Sequence, residues 1–142
     1  MKLTDVDFFL STSKQMLIID DYELTSILNK YPELNSYPSI ITEKWGATCF
    51  FKRKETSERV NIEKLSFTER GLLLGYPMSA VQFFVYMNTK TLSEYNSLNR
   101  VIVEFDGLSF VCTKDLIPQV EKELFIMYGS ARTPIKYISF II

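Results

Sequence analysis

Apolar and polar positions are patterned most regularly in the last third of the chain. Residues 101–105 and 108–112 each set an apolar side chain at every second position, and Asp106-Gly107 between them is the dipeptide most typical of a two-residue hairpin turn. That turn fixes a register. Phe105 opposes Leu108, Val103 opposes Phe110 and Val101 opposes Cys112, so these side chains share one face while Glu104 and Ser109 lie on the other. Thr113 or Asp115 then caps a helix with an apolar stripe of Leu116, Val120, Leu124 and Met127. Pro118 falls in its tolerant first turn, and Gly129 is placed to close it in a left-handed conformation. Residues 135–142 are rich enough in isoleucine to return as a buried final strand.

Upstream, the spacing of Val6, Phe9, Leu10 and Leu17 predicts a helix over most of residues 3–17, with residues 16–19 open to a short strand instead. Asp20 and Asp21 suit the positive end of a second helix carrying Leu24, Ile27, Leu28 and Tyr31, which Pro32 terminates. Residues 32–45 read as a connecting loop from which Ile40 and Ile41 dip into the core. Residues 47–52 and 59–65 read as a hairpin with 54–58 as its turn. Ser66 and Glu69 have capping-box spacing for a helix from Phe67, which should stop near Gly75, and Pro77 suits the start of another that runs to about Asn88. The expected architecture is an α+β fold. Two hairpins, at 47–65 and 101–113, and the strand at 135–142 form a mainly antiparallel sheet packed against four to five helices. With 142 residues, 46% apolar and 14% aromatic, residues 1–142 suffice for one domain with a real core.

A formal net charge of −1 gives no global field that would draw the chain onto nucleic acid or anionic lipid. Lys52, Arg53, Lys54 and Arg59 beside Phe50 and Phe51 form a basic and aromatic cluster, but Glu55 and Glu58 dilute it, and a solvated hairpin tip accounts for it without nucleic acid. Residues 71–89 hold no charged side chain. Gly75, Pro77, Ser79, Gln82 and Asn88 interrupt them, so no membrane partner is expected. The first residues lack the basic and long apolar stretches of a signal peptide, which makes a cytoplasmic location the default.

The chain contains no histidine, which removes Ser-His and Cys-His nucleophile pairs and every imidazole metal site. Cys49 and Cys112 lie in apolar stretches and lack metal-site spacing; free buried thiols are expected, with an interstrand disulfide as the alternative. The acidic pairs Asp20/Asp21, Glu104/Asp106 and Glu121/Glu123 each have a structural explanation. Hence no catalytic residue, metal or cofactor is assigned.

Two candidate sites follow. The helix at 78–87 is apolar nearly all round, and Val81, Phe84, Val85 and Tyr86 are its candidate partner-binding residues. Arg70, Gly75, Tyr76 and Ser79 surround a corner where helix-start amides could hold an anion, and Arg132 sits in a second small polar loop. The leading expectation is a non-catalytic protein that binds another protein or itself as a homodimer. The alternative is a small-ligand module for a nucleotide or anion.

Overall fold

The computed structural model describes residues 4–139 of the chain. It is an α+β fold: two three-stranded antiparallel sheets and, among the described residues, seven α-helices. The C-terminal hairpin forms in the expected register, with β4 (Arg100–Phe105) and β5 (Leu108–Thr113) pairing Phe105 to Leu108, Val103 to Phe110 and Val101 to Cys112. Asp106 takes the left-handed turn position at φ 52°. Gly107 is required for a different reason. A Cβ there would stand 2.2 Å from the Thr4 carbonyl oxygen, so only glycine lets the turn abut the start of α1 (Asp5–Ser11). The Asp106 carboxylate accepts from the amides of Arg132 (3.0 Å) and Thr133 (2.9 Å), tying the loop after α7 (Ile117–Tyr128) to the same turn.

β6 (Lys136–Ser139) pairs with β4, giving the second sheet the order β5-β4-β6. The expectation that this strand is buried is corrected: it is an edge strand, exposed at every described position, while residues 140–142 lie outside the described residues. α7 buries Val120 and Leu124 as expected, but Met127 faces solvent. Tyr128, one turn beyond Leu124, takes the inward position instead. A short 3-10 turn (Lys114–Leu116) leads into this helix, so neither Thr113 nor Asp115 supplies a side-chain cap.

The first sheet differs from expectation. β1 (Met16–Asp20) and β2 (Ser39–Thr42) flank β3 (Ala47–Phe51), in the order β1-β3-β2. The predicted hairpin at 47–65 does not form. Both edges of β3 are already occupied, and the polar run after it folds as α3 (Lys54–Arg59), with Lys54 and Glu58 3.8 Å apart at i,i+4 spacing. Ile62 then buries from a 3-10 turn. β3 pairs upstream with the predicted loop, where the exposed Ile41 lies outside the core. The basic cluster is dispersed too: the Lys52 ammonium donates to the Phe9 carbonyl near the end of α1 and sits 4.2 Å from the Phe9 ring centre.

Short α1 works between the sheets. Thr4 and Asp7 form its capping box. Phe8 packs edge-on against Phe105 and Tyr128 in the second sheet's core, whereas Val6 and Phe9 join Leu17, Ile19, Leu34 and Phe50 beneath α2 (Asp21–Lys30). The opposite face of the first sheet packs Met16, Cys49 and Phe51 against Ile62.

Candidate functional site

Ser66 caps α4 (Phe67–Leu73), accepting from the Glu69 amide at 3.1 Å while Glu69 bonds back to the Ser66 amide. Gly71 on this helix lies directly against Val81 of α5 (Met78–Met87); a Cβ there would be 2.9 Å from a Val81 methyl, so its absence lets the two helices close up. No helix among the described residues is long and apolar enough to cross a membrane, and the uncharged stretch 71–89 is this pair of short helices with a corner between them.

The corner is held from α7. Gly75 has φ 89°, and its carbonyl accepts from the Tyr128 hydroxyl at 2.6 Å. At the start of α5, Glu123 accepts from the Ser79 amide at 2.8 Å and from the Ser79 hydroxyl, with Gln119 donating at 2.9 Å. Burial would raise the Glu123 carboxyl. The bonds from Ser79, Gln119 and the Met78 amide outweigh that and hold it below the usual carboxylate range. The helix-start amides that could meet an exogenous anion thus hold the protein's own carboxylate.

Between α4, α5, α6 (Leu92–Asn96) and the free edge of β5 opens a cavity of about 760 Å³. Phe67, Arg70 and Leu74 line it from α4, Val81, Phe83 and Phe84 from α5, Tyr95 from α6, and Ser109 and Val111 from β5; Ile18 reaches it from the first sheet. Phe67 meets Phe84 edge-on at 5.6 Å, and Phe83 stacks on Tyr95 at 6.4 Å. Arg70 is half-buried, its guanidinium 5.1 Å from the Trp45 ring centre and 5.3 Å from that of Phe67.

These positions divide the expected site residues. Phe84 and Tyr86 are 52% and 59% exposed, Val85 is half-buried, and Val81 is buried against Gly71. Arg70 and Tyr76 line the cavity, while Gly75 and Ser79 are engaged by α7 at the corner. Arg132 stands apart, bonding Asp106 through its amide and the Ser11 carbonyl through its guanidinium at 3.4 Å. Reading the sequence missed Phe67, Phe83, Tyr95 and Ser109. A signal for α6 was present: Thr91 and Glu94 have capping spacing, and the Thr91 hydroxyl accepts the Glu94 amide at 3.2 Å.

Both cysteines are free and buried, Cys49 in the first sheet and Cys112 in the second. Burial pushes each thiol up to about 11, which keeps them neutral and poorly nucleophilic. Among the described residues no three cysteine or carboxylate side chains converge on a possible metal position. Comparison with protein-family models, with curated proteins and with solved structures finds no match to this chain.

Proposed function

We propose that the chain is a non-catalytic binding protein whose working site is the cavity beside α5, and that the occupant is a small molecule with an apolar body. One observation carries the reading. Phe84 follows Ala80 by four residues and Val81 by three, so it shares a helix face with two buried side chains, yet even with Phe67 edge-on against its ring it stays 52% exposed on the cavity wall. An apolar occupant would complete that packing and remove aromatic surface from water. The volume lies within the roughly 300–1,000 Å³ common for small-molecule sites.

Thermal unfolding with and without 1-decanol tests this. The alcohol should raise the melting temperature of the wild-type chain and leave unchanged that of Ser109→Trp, whose indole enters the cavity from its exposed rim. No shift in the wild-type protein up to the solubility limit of decanol would overturn the reading.

A protein partner, including a second copy of the chain, is the second reading, and the joint exposure of Phe84 and Tyr86 on α5 favours it. Light scattering decides the self-association form. A monomer whose Phe84→Asp variant folds and behaves normally removes it.

A further inference from the structure

We infer that the occupant of the cavity is an amphipathic anion, a single apolar chain ending in a carboxylate or phosphate whose head meets Arg70. The inference rests on the cavity being the binding site and adds the charge of its ligand.

The lining is electrostatically one-sided. It includes Arg70 and Lys90 and no carboxylate, although the whole chain carries a net charge of −1. The Arg70 guanidinium lies over the rings of Trp45 and Phe67, which attract its charge but accept none of its N–H bonds in the plane. Among the described residues no carboxylate lies within ion-pair distance of it and no oxygen accepts from it. A half-buried guanidinium that lines the cavity therefore keeps donors open to an occupant, and its planar fork matches the paired oxygens of a carboxylate or phosphate. Lys90 adds a second positive charge at the rim, its ammonium 4.6 Å from the Tyr86 ring centre. Away from these cations most of the lining is aromatic and aliphatic, with Asn88, Thr91 and Ser109 as its small polar members. Phe83, Phe84, Val81 and Leu74 suit an alkyl chain and offer no partner for a polar one.

Trp45 is the only tryptophan in the chain, so its emission reports directly on the Arg70 end of the site. The test titrates decanoate, decyl phosphate and 1-decanol into the wild-type protein and Arg70→Gln at pH 8, with affinities from calorimetry and Trp45 fluorescence as the local readout. At least one anion should bind the wild-type protein about tenfold or more tightly than the alcohol and shift Trp45 emission; which of the two it is distinguishes a carboxylate ligand from a phosphate ester. Arg70→Gln should lose about tenfold for that anion and leave decanol unchanged. Ser109→Trp, or Thr91→Trp on the rim if the first does not fold, should abolish binding of all three. Equal anion and alcohol affinities, or an equal loss for both in Arg70→Gln, would overturn the headgroup assignment while leaving the cavity as a binding site. No saturable binding of any of the three would overturn both.

Discussion

The two sheets have the same number of strands and the same antiparallel pairing, yet they are covered differently. In the first sheet β3 is buried at all five positions, because α1 and α2 cover one face while the Ile62 turn and α4 cover the other. In the second sheet β4 and β5 alternate. Val101, Val103, Phe105, Leu108, Phe110 and Cys112 face Phe8, Val120 and Leu124, while Ile102, Glu104, Ser109 and Val111 turn to a face that remains half-buried or exposed. A sheet covered on both sides has committed its apolar surface to folding. The second has not, and the cavity opens beside its β5 edge, bordered by Ser109 and Val111 from that sheet and Ile18 from the first. The first sheet has thus committed both faces to packing, whereas the second packs one face and leaves the other open beside the cavity.

The largest expected effect contrasts the two directly. Phe51→Ala, at the fully buried end of β3, should cost about 3–5 kcal/mol in urea unfolding, whereas Val111→Ala on the open side of β5 should cost about 1 kcal/mol or less. Equal losses would break the comparison. Next comes the contact that fastens the second sheet's hairpin to α1. Gly107→Ala places a methyl group against the Thr4 carbonyl and should cost about 1–3 kcal/mol by the same measurement. An unchanged midpoint would show that the turn does not need this close approach.

The smallest effect concerns the Glu123 latch that holds α5 to α7. The folded protein lowers the carboxyl from its ordinary value of 4.5, so the unfolded chain binds the proton more readily. This contribution is present in full above the ordinary carboxylate range and is lost as pH falls through the folded value. Glu123→Gln should destabilise by about 1 kcal/mol at neutral pH, and the difference from wild type should shrink in acid. A difference that stays constant from neutral to strongly acidic pH would place the stabilisation elsewhere.

The same contrast explains what could be read from residues alone. The β4–β5 hairpin was legible because its pairing is local, Asp106-Gly107 sets the turn, and one face is apolar. The capping box of α4 and the corner at Gly75 were legible for the same reason, since each signal lies within a few residues. β3 was recognised as a strand, but its partners were not. A strand buried on both faces has no period-two signal, and its true neighbours include Met16–Asp20, about thirty residues upstream. Pairing it with the next β-branched run was the local choice and the wrong one. In the site, the apolar character of α5 and the presence of Arg70 and Tyr76 were visible. That Ser79 faces Glu123, that Arg132 is held at Asp106, and that Phe67, Tyr95 and Ser109 share one cavity all depend on contacts between distant segments.

Binding in the open space beside the second sheet would show itself in amide chemical shifts when decanoate is added. Saturable changes are expected at Phe67, Arg70, Gly71, Phe84, Ser109 and Val111 alone, with α2 and the buried positions of β3 unmoved. Changes centred on α2 or α7, or none at saturating ligand, would contradict binding there.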